Sequence, residues 1–243
     1  MKKISVIIVL SLLSFAVNAQ NIFEAYKSKN YKKVEQLLEK GADPNQLDKS
    51  RGLPLMFDAA WDNNVTIMEL LYKYGGKVDD EYGESNITFL LIACQQNSYE
   101  AVKFLVSKGA NVNRKFAKAG NQTPIRFACK TGNIELVSFL LDNGANIEDT
   151  PDDKITPIIQ AAQRNHYALV EFLIQKGANV NACARDKETA LNQAIIKNNV
   201  EIVELLLKHG ADATTVDNDG NSCLELAKKT KNKKLIQIIQ DKL

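Results

Sequence analysis

The sequence predicts an all-α repeat protein, and three observations carry that prediction. Glycines stand at Gly41, Gly75, Gly109, Gly144, Gly177 and Gly210, at spacings of 33 to 35 residues. Each closes an apolar run with helical period, such as ELVSFLLDNG or EIVELLLKHG. An alanine recurs in the same register as Ala25, Ala59, Ala93, Ala128, Ala161, Ala194 and Ala227. A unit of this length is one supersecondary element that buries its apolar face only by stacking on its neighbours. The question of function therefore becomes a question about a surface.

Counting back 21 positions from the glycines reaches Thr88, Thr123, Thr156 and Thr189, with Ser222 in the last unit. Two of these open TP dipeptides, Thr123-Pro124-Ile125-Arg126-Phe127-Ala128 and Thr156-Pro157-Ile158-Ile159-Gln160-Ala161. With GADPN, GANVN, GANIE and GANVN after the second helical runs, the chain resembles the ankyrin repeat, whose motif places TPLHxA at the start of the first helix and GADxN after the second. The resemblance implies an ankyrin repeat solenoid of about seven helix-turn-helix units including both caps, over residues 20–243. The family's histidine is absent: its position holds Phe23, Phe57, Leu91, Arg126, Ile159, Asn192 and Glu225, so looser bracing between neighbouring loops is expected. Pro54 is displaced by one place from the register, and Phe89 replaces a proline. Irregular loops are expected before both.

Within the unit Thr123 to Asn146, Ile125, Phe127, Ala128 and Cys129 belong to a first helix and Ile134, Leu136, Val137, Leu140 and Leu141 to a second. The step from Val137 to Leu140 and Leu141 is that of a helix face. The glycine after each second helix supplies the left-handed conformation that ends it. At the C-terminus, Lys228, Lys229, Lys231, Lys233 and Lys234 accompany the apolar residues of LIQIIQ, and Lys27, Lys29, Lys32 and Lys33 mark the first unit. Both read as polar caps, which a stack requires for solubility.

The first residues differ in kind from the rest. Lys2 and Lys3 precede an apolar stretch from Ile4 to Ala16, followed by the small-residue site Val17-Asn18-Ala19. That is the layout of a secretory signal peptide over residues 1–19, too short to span a bilayer. The expectation is cleavage near Ala19, a periplasmic or secreted chain, and no stable membrane anchor afterwards. The chain has 31 Lys+Arg and 29 Asp+Glu, and losing Lys2 and Lys3 with the leader balances the signs. Such balance argues against general attraction to nucleic acid or anionic membrane.

Of four cysteines, Cys94 and Cys129 occupy the same register in consecutive units, where stacked helices lie about 8–10 Å apart, farther than a disulfide reaches. They read as core fillers, and Cys183 and Cys223 are likewise offset. The two histidines read as structural: His166 between two helices, where the family commonly has Gly-His, and His209 in a last helical turn. No HExxH, CxxC, GxSxG, P-loop or GxGxxG pattern occurs. The acids Asp79, Asp80, Glu81 and Glu84, and Glu148, Asp149, Asp152 and Asp153, read as solvated loop residues. No enzyme, cofactor or metal site is expected.

The ankyrin resemblance implies a concave binding face built from the projecting loops and the exposed ends of the first helices. Its contact positions fall on Trp61 and Asp62, Gln95 and Gln96, Lys130 and Thr131, Gln163 and Arg164, and Ile196 and Lys197, one column over five layers. The loops add Tyr82 and Glu84, then Lys115, Phe116 and Lys118, then Asp152 and Asp153, then Arg185. Loop charge alternates, acidic at 79–84, basic at 114–118 and acidic at 148–153, which suits selection of a protein surface. The expected function is a monomeric, non-enzymatic scaffold binding another exported protein in the bacterial envelope. The alternatives are an inhibitor or immunity protein that occludes a toxin or enzyme, and an ankyrin effector delivered into another cell.

Overall fold

A computed structural model describes residues 22–83, 86–117 and 120–243. The leader and the Glu84 and Lys118 assignments lie outside the described residues. The helices are α1 (22–27), α2 (Tyr31–Glu39), α3 (Leu55–Trp61), α4 (Val65–Lys73), α5 (Phe89–Gln95), α6 (Tyr99–Ser107) and α7 (Pro124–Thr131). They continue as α8 (Ile134–Asp142), α9 (Pro157–Gln163), α10 (Tyr167–Gln175), α11 (Ala190–Ile196), α12 (Val200–Lys208), α13 (Cys223–Thr230) and α14 (Lys233–Gln240). No strand longer than an isolated bridge occurs among the described residues. Nor does any described helix have the length and apolarity to cross a membrane.

The helices divide into two compact units, the first ending at Asn111 and the second running from Val112 to Leu243. In the first, α3 packs on α4 and α5, and α5 on α6; in the second, α7, α9, α11 and α13 stack in series, each against its own second helix. The recurrent alanine makes this approach feasible: Ala59, Ala93, Ala128, Ala161, Ala194 and Ala227 are sealed from solvent. Ile125, Leu136, Val137 and Leu140 are equally buried. So are Cys94 and Cys129, neither of them in a disulfide, and burial pushes the Cys129 thiol up.

Caps explain where the helices begin. Asn30, Asn64, Asn133, Asn199 and Asn232 each accept a backbone N–H of the following second helix. Thr189 with Asn192, and Ser222 with Glu225, form reciprocal capping boxes on α11 and α13. Pro54 sits at the N-cap of α3, the place Thr88, Thr123 and Thr156 take elsewhere, and caps with no side chain. The second helices stop at glycines with φ between +85° and +92°, as expected.

The bracing between layers is stronger than the missing histidine implies, because other residues supply it. Asn113 donates to Gly144 O (2.8 Å) and accepts from Asn146 N (3.0 Å), and Asn181 does the same for Gly210 and Asp212. Asn45 clamps Gly75 and Lys77 likewise in the first unit. The last asparagine of GADPN and GANVN is thus an amide clamp for the next layer. Asp79 and Glu148, in the same register, supply only its acceptor half, to Asn111 N and Asn179 N. Hairpin tips add backbone links, Asp152 N to Gly120 O, Arg185 N to Asp153 O and Asn218 N to Asp186 O.

The loops before α3 and α5 are closed by bridges, Leu47 to Pro54 and Tyr82 to Ile87, as are those of Phe116 to Gln122, Cys183 to Thr189 and Val216 to Ser222. The irregular loop is instead 148–155, which carries Pro151 and no bridge. Its acids are not all solvated: Asp149 is buried and accepts from Thr123 Oγ1 at 2.7 Å. One layer on, Ala182 stands in the register of Asp149, and Thr156 Oγ1 is buried without a partner. Ala182→Asp is therefore expected to raise stability by about 1 kcal/mol, the net worth of one hydrogen bond. Urea midpoints check this, and the gain should vanish when Thr156→Val accompanies it.

Candidate functional site

The side chains singled out by the sequence lie at the C-terminal ends of the first helices and at the start of the hairpins. Each unit is described separately. In the first, Trp61 ends α3 and is 46% exposed. Its ring lies 6.4 Å from that of Phe57, so it is stacked at one edge and open at the other. Its backbone is fixed by Ser98 Oγ donating to Trp61 O at 3.0 Å. Asp62 accepts from Tyr26 OH at 2.7 Å, and burial together with that carboxylate holds the Tyr26 phenol protonated far above its usual range. Gln95 is exposed and Gln96 half-buried at the end of α5.

Tyr82 opens its hairpin half-buried, with its ring 5.1 Å from that of Phe89. Burial, with Asp80 and Asp43 nearby, pushes its phenol up to about 12. It acts as a neutral, amphipathic edge.

In the second unit Lys130 reaches across its helix end to Gln122 Oε1 at 3.0 Å and lies 4.5 Å over the Phe127 ring. Burial, then the nearby Arg126 and Arg164, lower its ammonium pKa, opposed by Asp153. Thr131 is turned to a structural task, donating to Ala128 O and accepting from Asn133 N. Gln163 accepts from Gln160 Nε2 at 3.0 Å. Arg164, Ile196 and Lys197 are exposed, Ile196 at 45%. Lys115 is exposed, while Phe116 is half-buried and held by its bridge to Gln122.

His166 has the structural place expected of it. Its Nε2 lies 3.1 Å from Lys130 O, and its ring packs on Gly132, where an added Cβ would come within 2.7 Å of it. Gly132 also has φ +76°, so both the backbone and the ring require glycine there.

Two features escaped the sequence reading. Arg126, in the position of the family's histidine, is buried and pairs in bidentate fashion with Asp153 (3.0 and 2.6 Å), its Nε reaching Gln160 at 3.3 Å. The helix register alone does not disclose this partner, which comes from the next layer's loop. The second feature is the set of hairpin residues Leu47, Cys183 and Val216, equivalent to Tyr82 and Phe116 through their bridges. Leu47 and Val216 are 49% and 47% exposed. Their signal was present in the sequence, six residues after Gly41, Gly177 and Gly210.

A groove of about 200 Å³ in the first unit is lined by Phe23, Glu24, Lys27 and Leu47 to Ser50. Among the described residues no group of three or more His, Cys, Asp or Glu side chains is placed to hold a metal ion. Among the described residues the arrangement offers contact chemistry: open apolar edges, single cations without an ion-pair partner, and amides.

No curated protein matches this chain by sequence. Among solved structures it is similar to the human ASB11 ankyrin repeat domain, with a TM-score of 0.80 and 24% identity over 91% of this chain and 97% of that one. At that identity the likeness speaks for the fold alone. The family described as ankyrin repeats in three copies matches residues 22–116, 114–184 and 158–242. Repeats of this family generally mediate protein–protein interaction. With the helix pairs, glycine stops and amide clamps in place over the same span, the chain belongs to the ankyrin repeat family.

Proposed function

We propose that this chain is a non-enzymatic, monomeric binding scaffold whose partner is another exported protein of the bacterial envelope. One observation carries the binding part. Trp61 and Ile196 occupy the same register, 14 residues before Gly75 and Gly210, and are 46% and 45% exposed. Nearly all other apolar residues of α3 and α11 are sealed. A large apolar side chain held open on a rigid helix end, with its backbone fixed by the next layer, is the form a binding anchor takes. The envelope part rests on the lysine-led apolar leader of residues 1–19. Intact mass of protein recovered from the envelope fraction tests it, and retention of Met1 through Ala19 overturns it.

The binding test is capture of partner from envelope extract, followed by affinity measurement on the purified pair. Trp61→Ala is expected to cost about 2 kcal/mol, roughly thirtyfold in Kd, with the thermal transition unchanged. Phe116→Ala tests the second unit in the same way. Undiminished binding by a well-folded double variant would place the contact elsewhere, and unfolding of Trp61→Ala would make that residue a packing element.

A further inference from the structure

The first-helix ends of the second unit differ in charge from those of the first. In the first unit they present Trp61, Asp62, Gln95 and Gln96; in the second, Lys130, Arg164, Lys197 and, in the capping layer, Lys229. The only acid on α7, α9, α11 and α13 is Glu225, which is consumed in capping Ser222. Arg164 and Lys197 are exposed and make no side-chain hydrogen bond or ion pair among the described residues. The acids nearby are already engaged: Asp153 by Arg126, Asp149 by Thr123, Asp152 by Asn121 and Asp217 by Asn221. Cations thus line one side of three consecutive layers: Arg164 and Lys197 have no counter-ion among the described residues, Lys130 has only Asp153, already engaged by Arg126, and Ile196 lies open beside them.

We propose that this strip, Lys130, Arg164 and Lys197 around Ile196, docks an extended acidic peptide segment of a protein partner. The proposal deepens the binding function above and rests on it. Stacked helices about 8–10 Å apart present one cation per layer, and an extended chain in the polyproline II conformation advances about 3.1 Å per residue with three residues per turn. Carboxylates at every third residue of such a chain face the same way about 9 Å apart and match that spacing, with apolar side chains among the residues between them for Ile196. The lowered Lys130 pKa, caused after burial by Arg126 and Arg164, marks a crowding of positive charge that a carboxylate relieves.

A nucleic acid fits less well. The strip has no exposed ring for base stacking, since Phe127 is buried.

The test uses the full chain and a fluorescent peptide of about twelve residues with Glu at every third position and Leu among the rest, set by the three-residue turn. The same peptide with Gln for Glu, and a single-stranded oligonucleotide of equal charge, serve as comparisons. The acidic peptide is expected to bind at least about tenfold more tightly than the Gln peptide, with affinity falling as salt rises. Arg164→Glu with Lys197→Glu should remove that preference while the thermal transition stays in place; Arg164→Gln with Lys197→Gln serves if charge reversal disturbs the fold. Equal binding of the Glu and Gln peptides, unchanged binding by the double variants, or tighter binding of the oligonucleotide would overturn the assignment. If it falls while Trp61→Ala still weakens capture of the partner, the binding function stands without the acidic segment. If Trp61→Ala and Phe116→Ala also leave capture unchanged, both fall.

Discussion

Deletion of residues 221–243 is expected to leave a chain that aggregates and unfolds at markedly lower urea. The deletion removes α13 and α14, which pack on α11 and α12. Leu205, Leu206 and Leu207 are buried to within 7% of complete, and Ala194 and Ile195 entirely. Each fully buried branched side chain contributes about 1.5–3 kcal/mol, so re-exposing even two or three of them forfeits roughly 3–9 kcal/mol, comparable to the whole stability of many domains.

The lysines do the opposite job at the present end. Lys228, Lys229, Lys233 and Lys234 are exposed while Leu235 and Ile239 are sealed beneath them, so α13 and α14 turn one face to α11 and α12 and the other to water. A stack loses its water-facing layer when its cap is cut. Size-exclusion chromatography and urea unfolding of the truncated chain check the outcome; a monomer with an unchanged midpoint would mean that the last layer contributes little.

This behaviour was legible in the sequence because the signals that carry it are local and periodic. Glycine at φ near +90°, a small alanine where helices touch, and an apolar stripe at helical spacing each report on their own neighbourhood. The repetition then multiplies them. The same holds for Trp61, Ile196, Arg164 and Lys197, whose exposure follows from position at a helix end. What the sequence concealed depends on the neighbour one layer away. Asp149 reads in sequence as one more loop acid, whereas Thr123 donates its hydroxyl to it. Asn113 and Asn181 looked like motif decoration, whereas each satisfies a carbonyl and an amide of the next layer. Register alone puts Thr131 among the contact residues, yet its hydroxyl is spent within its own helix end. Loop position puts Phe116 there too, and the hairpin bridge leaves it half covered. Arg126 was the largest omission, because a charged residue in an otherwise apolar helix gave no hint of its partner.

Asp153→Ala is expected to destabilise the protein by about 2–3 kcal/mol, and Arg126→Met by clearly less. The asymmetry follows from where the two charges sit. The Arg126 side chain is 6% exposed, that of Asp153 43%. Removing the carboxylate strands a guanidinium that the fold has already taken out of water, with only the long 3.3 Å contact to Gln160 to satisfy it. The nearby Lys130 adds repulsion that Asp153 had offset. The magnitude is set below that of a fully buried pair because water reaches the site through the open side of Asp153.

Replacing Arg126 with methionine leaves the opposite remainder. Asp153 rehydrates from its exposed side, its Oδ1 keeps the hydrogen bond from Ile155 N, and the thioether fills part of the space of the guanidinium stem. The double variant Asp153→Ala with Arg126→Met should then be more stable than Asp153→Ala alone, since the stranded charge is gone. Urea unfolding of the three variants measures the coupling directly. If Arg126→Met proved as costly as Asp153→Ala, or if the double variant gained nothing over Asp153→Ala, Arg126 would be held by packing along its stem rather than by its charge. The layer contact that replaces the family's histidine would then be apolar in origin.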